Sequence, residues 1–200
     1  MDLIVSSAVL IPRPETEHVV ESVLELARDF PAPRIVDVGT GSGCIALALA
    51  KEMPTAEIHA VDVSAAALKV ARTNATRHGL QERVRFRESD LLSVFAVDTT
   101  HFDFVVSNPP YVSDLDLASL QREVCDFEPH SALFAGATGL EVMERLIPQA
   151  QRALKSGGWL VMEIGQGQNA IVESLLSKWN TCAFNKDLQG IPRVVQAQRP

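Results

Sequence analysis

The sequence predicts an α/β fold: a doubly wound, mainly parallel seven-stranded sheet with helices on both faces. Three observations predict it. Short apolar runs alternate with helical patterns along most of the chain. The first run, residues 34–38, is bounded by Pro and Gly, as buried parallel strands commonly are. The last two runs flank turn residues at 187–190, which indicates a C-terminal antiparallel hairpin.

The chain opens with a predicted β arm, residues 1–14. Its first part alternates loosely between apolar and polar residues, and prolines then break the pattern. A helix should follow, because Glu15 or Thr16 can cap it and apolar residues recur at helical spacing from Val19 to Phe30. Two prolines directly afterwards end this helix.

Five apolar runs predict the parallel strands, and two more predict the closing hairpin. The predicted strands cover residues 34–38, 57–61, 84–87, 102–106, 159–164, 181–184 and 194–197. Between them, helices are predicted over residues 44–51, 64–77, 139–154 and 168–179. Ser64 is a favourable N-cap for the second of these helices. Pro148 should kink or split the third, because proline lacks the donor that a helix interior requires.

Residues 112–129 are expected to form a loop-rich lid over the site. This stretch is polar and acidic after Tyr111, and a short helix is predicted within it over residues 117–124. A chain of 200 residues buries roughly 70% of the surface that its unfolded form exposes, which is enough for one core. We therefore expect a single domain over residues 1–200.

Composition narrows the class of protein. No apolar run approaches the ~20 residues that a membrane span requires, and the start does not resemble a signal peptide, so we expect a cytoplasmic protein without membrane contact. The net charge of -7 disfavours a nucleic-acid backbone as the direct partner. Cys44, Cys125 and Cys182 lack metal-ligand or redox spacing, and the five histidines are scattered. We assign no metal site.

A glycine loop follows the first strand and predicts a nucleotide site. The loop consists of Gly39, Thr40, Gly41, Ser42 and Gly43. Alternate glycines let a ligand approach the backbone, and the pattern matches neither the dinucleotide fingerprint nor the phosphate loop, which favours a nucleotide without a pyrophosphate.

Two acids and a leucine complete the predicted cofactor site. Asp62 ends the second strand, where a carboxylate can accept from both ribose hydroxyls. Asp90 and Leu91 end the third strand and are placed to flank an adenine, with Asp90 accepting from its amino group. An acid at a strand end is also a common helix cap, so a cofactor role for these acids is favoured only together with the glycine loop and the other predicted site residues.

The fourth predicted strand runs into Ser107-Asn108-Pro109-Pro110-Tyr111. The prolines favour an extended backbone that turns two acceptors outward, the Asn108 side-chain oxygen and the Pro109 carbonyl. Such a pair fits a planar NH2 group, and the Tyr111 ring can lie on a planar substrate while its hydroxyl stays wet. A simple turn is the alternative interpretation of this motif.

The order of these motifs resembles the class I S-adenosylmethionine-dependent methyltransferases, which have a Rossmann-like sheet, and among them those that methylate amide or exocyclic amino nitrogens. Five segments narrow the resemblance to the release-factor glutamine methyltransferases, the HemK/PrmC family. They are Leu10-Ile-Pro-Arg-Pro-Glu-Thr-Glu17, Asp37-Val-Gly-Thr-Gly-Ser-Gly43, Ser107-Asn-Pro-Pro-Tyr-Val112, Phe127-Glu-Pro-His-Ser-Ala-Leu133 with Gly139-Leu140, and Glu163-Ile-Gly-Gln-Gly-Gln168.

This resemblance implies methyl transfer to the glutamine amide in the Gly-Gly-Gln loop of peptide-chain release factors, in translation termination. It implies S-adenosylmethionine as the cofactor and S-adenosylhomocysteine as the product. The family's cofactor contacts fall on residues 39–43, Asp62, Leu91 and Asn108, and its glutamine pocket on residues 108–111. Family members usually carry a helical domain before the arm, and this chain starts almost at the arm.

We expect catalysis by placement, with Asn108 and the Pro109 carbonyl each accepting one N–H and Tyr111 packing on the amide plane. Pro110 stiffens this substrate pocket, and Glu163 is a candidate to hold the corner in place. Two other hypotheses stay open: methylation of an exocyclic amine of adenine or guanine in nucleic acid, and a cofactor-binding module without catalysis. A monomer with a release factor as its partner is expected.

Overall fold

The computed structural model describes residues 1–95, 101–119 and 128–200. Its strands, in chain order, are β1 (Arg34–Val38), β2 (Glu57–Asp62), β3 (Val84–Glu88), β4 (Phe102–Ser107), β5 (Val112–Ser113), β6 (Phe134–Gly136), β7 (Leu154–Glu163), β8 (Thr181–Lys186) and β9 (Pro192–Gln198). Its α-helices are α1 (Glu17–Leu26), α2 (Cys44–Glu52), α3 (Ala65–Arg77), α4 (His130–Leu133), α5 (Glu141–Ala153) and α6 (Asn169–Leu175).

Seven strands form one sheet in the order β3-β2-β1-β4-β7-β9-β8. The first five are parallel to one another, and β9 runs antiparallel to both β7 and β8. The doubly wound, mainly parallel sheet and its closing hairpin are therefore confirmed. The strand order reverses between β1 and β4, and ligands of such sheets bind beyond the carboxyl ends of the strands at this point.

Helices cover both faces of the sheet. On one face, Ile35 and Phe104 pack with α1 and α2, while on the other Val36 and Val105 pack with α5 and α6. Side chains alternate between the two faces along each strand, and both faces are apolar because both are covered. In the described ranges, no helix combines the length and apolar character needed to cross a bilayer.

The predicted boundaries of the β1–β4 strands agree with the structure to within one residue. Ser64 caps α3 as expected, since its Oγ accepts from the Ala67 amide at 3.2 Å. Pro148 does not split α5, which continues unbroken to Ala153. Pro148 lies on the solvent side of this helix, where water can satisfy the carbonyl that loses its partner.

Two other expectations need correction. The N-terminal segment predicted as a β arm contains no strand; its Ile4 N–H and C=O are satisfied instead by the Asn74 side chain of α3, at 2.8 and 2.9 Å. The predicted lid contains a 3-10 helix at Asp114–Ser119, and the remainder of the helix predicted over 117–124 lies outside the described residues. The small sheet of β5 and β6 was not predicted.

Candidate active site

The two predicted site loops begin side by side at the edge of the sheet. Val38 and Ser107, the last residues of β1 and β4, are partners in the parallel ladder. The Ser107 hydroxyl also donates to the Val38 carbonyl at 2.8 Å. The glycine loop therefore leaves the sheet beside the Asn-Pro-Pro-Tyr corner.

A cavity of ≈ 220 Å³ lies between these loops. Most residues predicted to bind cofactor or substrate line it: Gly39, Thr40, Gly41, Ser42, Asp62, Asp90, Leu91, Asn108 and Pro110. Three predicted residues, Gly43, Pro109 and Tyr111, are not among its lining residues. One side of the cavity therefore consists of residues that were singled out in the sequence.

Gly43 allows α2 and α3 to pack closely together. It is the N-cap of α2 with φ 85°, and a Cβ there would lie 3.3 Å from both the Ala71 Cβ and the Leu47 Cδ1. A side chain at this position would therefore push α2 away from α3, besides the strain of a left-handed backbone.

Asp62 lines the cavity and also holds the glycine loop. Its Oδ2 accepts from the Gly41 amide and its Oδ1 from the Ser64 amide, both at 2.9 Å. Each carboxylate oxygen keeps a second lone pair for a ligand. The two interpretations of this acid, ligand acceptor and brace at a helix start, are compatible in this geometry.

The adenine end of the predicted site contains an ion pair that was not predicted. Asp90 forms an ion pair with Arg145 of α5, which also lines the cavity and was not predicted. Both side chains are about half exposed. Next to Asp90, Leu91 has a φ of 50°, a strained conformation for a residue with a side chain. Strain of this kind gathers at ligand sites, which agrees with the place of Leu91 in the cavity wall.

Asp37 is a buried carboxylate behind the glycine loop, and sequence reasoning gave it no role. Its Oδ2 accepts from the Thr40 hydroxyl at 2.7 Å and the Ala46 amide at 3.2 Å. Its Oδ1 has no hydrogen-bond partner within the described parts of the chain. Burial raises the pKa of Asp37 to about 7, against the opposing effect of the two hydrogen bonds. The acid fixes the loop to the start of α2.

A buried network lies behind Asn108. Its Nδ2 donates to the Thr16 hydroxyl at 3.0 Å, and that hydroxyl donates to Oε2 of Glu163 at 2.9 Å. The Tyr111 hydroxyl donates to the other oxygen, Oε1, at 3.1 Å. Burial raises the pKa of Glu163 and also that of Tyr111.

This network corrects two expectations. Thr16 is the N-cap of α1, but its side chain makes no cap hydrogen bond and is used for Glu163 instead. The Tyr111 hydroxyl was expected to stay wet, whereas it is bonded inside the protein to the same carboxylate. The suggestion that Glu163 holds the corner agrees with these contacts.

The backbone of Tyr111 is held from the segment after β7. Gln168 Nε2 donates to the Tyr111 carbonyl at 3.0 Å and to the Gly139 carbonyl at 3.3 Å, while its Oε1 accepts from Gly165 N at 2.8 Å. Gly139 touches this corner so closely that a Cβ there would lie 2.5 Å from the Tyr111 carbonyl oxygen. Neither Gln168 nor Gly139 was given a role beforehand, although both belong to the quoted segments.

The far wall of the cavity comes from two segments that sequence reasoning left without site residues. The arm contributes Ala8, Val9 and Leu10, and the segment at α4 contributes Pro129, Ser131 and Ala132. A buried acid joins these two segments, because Glu128 forms an ion pair with Arg13 at 2.5 Å and accepts from the Ile11 amide at 3.4 Å. The quoted segments 10–17 and 127–133 carried this signal.

Fold and site together define the class of protein. A glycine loop after β1, an acid at the end of β2 and an Asn-Pro-Pro-Tyr corner after β4 border one cavity at the switch point of a seven-stranded sheet. This is the architecture of the class I methyltransferases, which in general use S-adenosylmethionine. The methyltransferase small domain family matches residues 19–125 of the chain.

Comparison with known proteins gives the family. The release factor glutamine methyltransferase of Koribacter versatilis (strain Ellin345) is 50% identical over 199 residues, which cover 100% of this chain and 70% of that protein. The enzyme of the same name from Geobacter sulfurreducens is 42% identical, over 98% of this chain and 67% of its own. The chain belongs to the release factor glutamine methyltransferases.

A solved structure supports the fold alone. The hMettl16 catalytic domain in complex with a MAT2A 3′UTR hairpin superposes with a TM-score of 0.76, covering 98% of this chain and 74% of that one, at 18% sequence identity. Identity this low carries no argument about substrate.

Replacing Gly139 with Ala should displace the Tyr111 corner. The new Cβ would clash with the Tyr111 carbonyl oxygen, and the backbone has a φ of 78°. Gly190 is a matched control, because it has a φ of 80° and no atom within 4 Å of a built Cβ. We expect Gly190→Ala to cost about 1 kcal/mol in urea unfolding and Gly139→Ala to cost at least twice as much. Equal costs would contradict the clash.

Replacing Asp37 with Asn should stabilise the protein increasingly as the pH rises. The folded-state pKa of about 7 lies above the ordinary 3.8, so ionising Asp37 costs stability that grows from about pH 4 and is complete just above pH 7. Asparagine is neutral and keeps an acceptor for Thr40. Its advantage in free energy of unfolding should grow by roughly 2 to 3 kcal/mol between pH 5 and pH 8.

Urea unfolding at several pH values measures this margin. The exposed Asp29→Asn variant supplies the background. A margin for Asp37→Asn that stays constant across this range would show that the folded-state pKa of Asp37 is not raised.

Proposed function

We propose that the chain transfers a methyl group from S-adenosylmethionine to the side-chain amide nitrogen of glutamine in the Gly-Gly-Gln motif of peptide-chain release factors. One observation carries the proposal: Asn108 and the glycine loop line the same cavity. A methyl donor held by the loop would thus lie beside an acceptor built for an amide. We infer the release factor as substrate because relatives at 50% and 42% identity are release factor glutamine methyltransferases.

The residues of the loop fit the cofactor. Gly39 and Gly41 have φ values of 72° and 56°, and a Cβ built on Gly39 would meet no atom within 4 Å, so the backbone borders open space. Asp62 supplies free lone pairs for ribose hydroxyls in the same cavity. When bound, the cofactor supplies a methyl group on a positively charged sulfur: the S–CH3 bond breaks, an N–CH3 bond forms, and the sulfur keeps the electron pair as a neutral thioether.

The protein's own part is placement. The Asn108 amide nitrogen is occupied by Thr16, so its Oδ1 is the atom left to accept an N–H from the substrate amide. We assign the second acceptor to the Pro109 carbonyl and the support of the amide plane to Tyr111. An amide nitrogen is a weak nucleophile, and holding it in line can lower the barrier by roughly 7 to 11 kcal/mol. The methylated nitrogen then loses its extra proton to water.

The proposal sets aside nucleic acid as the substrate. The net charge of -7 opposes binding to a phosphate backbone. The structural neighbour bound to an RNA hairpin is 18% identical and shares only the fold. A release factor is the proposed partner of a monomeric enzyme, and because release factors act on the ribosome the proposed location is the cytoplasm.

Asn108→Ala should lower methyl transfer to a purified release factor by at least about a hundredfold. Binding of S-adenosylhomocysteine, measured by calorimetry, should weaken by less than about fivefold, since the glycine loop and Asp62 remain. Incorporation of labelled methyl into the release factor, and into a mixed RNA sample, is the measurement. The exposed Asn180→Ala variant is the control. Full activity of Asn108→Ala excludes its assigned role, and label entering RNA but not protein refutes the proposed function.

Asp62→Asn should weaken S-adenosylhomocysteine binding by about tenfold or more. The change removes the charge and one acceptor, and a hydrogen bond to a charged group contributes about 1.5 to 3 kcal/mol. Thermal unfolding of the ligand-free variant shows how much stability is lost with the Gly41 or Ser64 hydrogen bond, which separates that effect from the loss of ligand affinity. An unchanged dissociation constant in a folded variant would remove Asp62 from the cofactor site.

A further inference from the structure

Three side chains from distant parts of the chain meet behind Asn108. Thr16 lies where the arm joins α1, Glu163 ends β7, and Tyr111 follows Asn108 beyond β4. Thr16 and Glu163 are 4% and 2% exposed, so little water reaches the hydrogen bonds between them. A buried network of this kind keeps the direction in which each hydrogen bond is donated.

We propose that Glu163 and Thr16 are positioning residues that fix the Asn108 amide with its oxygen towards the cavity and its nitrogen away from it. The direction follows from donor counts. Both oxygens of Glu163 accept from hydroxyls, Oε1 from Tyr111 and Oε2 from Thr16. The Thr16 hydroxyl has one proton, which it gives to Glu163, so its oxygen can only accept from Asn108.

This inference rests on the proposed function and deepens it, because the orientation of Asn108 selects the substrate. An oxygen facing the cavity accepts an N–H of a carboxamide and repels a carboxylate. A reversed Asn108 would direct its NH2 at the substrate NH2, two donors without an acceptor. Glutamine is therefore distinguished from glutamate by a carboxylate that never touches the substrate.

Thr16→Val removes the hydroxyl at nearly constant volume, and Thr16→Ser keeps it. We expect Thr16→Val to lower kcat for a release factor by roughly tenfold to a hundredfold, and Thr16→Ser to recover most of that loss. S-adenosylhomocysteine binding should stay within about threefold in both variants, because the cofactor loop is unaffected. Wild-type kcat in Thr16→Val, or an equal loss in Thr16→Ser, would overturn the proposal.

Glu163→Gln tests the same relay at its other end. Glutamine carries an NH2 that can face Thr16, so the direction of the hydrogen bonds is no longer imposed, and kcat should fall by roughly tenfold. In the double variant with Thr16→Val, the loss should not exceed that of the larger single loss, since both act through Asn108. Multiplying losses would mean independent roles and would refute the relay.

A measurement without substrate keeps the inference separate from the proposed function. In protein labelled with 15N-asparagine, the side-chain NH2 protons of Asn108 should exchange slowly with solvent in the wild type and in Thr16→Ser, and at least about tenfold faster in Thr16→Val. Slow exchange in Thr16→Val would overturn the inference. Failure of the wild-type enzyme to methylate a release factor would overturn the proposed function alone.

Discussion

The site depends on the parallel pairing of β1 with β4. Because Val38 and Ser107 are ladder partners, the two loops that follow them leave adjacent strands at the same level of the sheet's carboxyl edge. The Ser107 hydroxyl fastens this end of the ladder to the Val38 carbonyl. A shift of the ladder by one residue would turn every β4 side chain to the opposite face. Apolar packing on both faces therefore fixes the distance between the glycine loop and Asn108.

Around this ladder, the fold places buried polar groups where an apolar core would be more stable. Asp37 and Glu163 are carboxylates with almost no exposure, and burial raises the pKa of both. Each is held by donors from a neighbouring segment, Thr40 and Ala46 for the first, Thr16 and Tyr111 for the second. Such groups cost stability and specify geometry. Their location directly behind the two loops links this cost to the precision of the site.

The sequence was informative where local chemistry decides the outcome. Short apolar runs predicted β1 to β4 to within one residue, and the glycine loop, Asp62 and Asn108, which were singled out at the ends of these strands, line the cavity. The sequence did not show the hydrogen-bond partner of a side chain that can bond either to a neighbouring residue or to one far along the chain. Thr16 has the chemistry of a helix cap, yet it bonds to Glu163, 147 residues away along the chain. Arg145 is an ordinary helix residue until the fold brings it to the cavity, and Gln168, just before α6, has no evident role until the fold brings it to the Tyr111 carbonyl.

The arm shows why hydrogen bonds between distant residues matter for the site. It has no strand of its own, so side chains hold it: Asn74 binds Ile4 at one end, and Glu128 binds Ile11 and Arg13 at the other. Thr16 follows Arg13 by three residues, within the short helical turn that leads into α1. The place of Thr16 thus depends on how the arm is fastened. Because the Thr16 hydroxyl turns the amide of Asn108, contacts on the outer wall of the cavity bear on the orientation of a group at its centre.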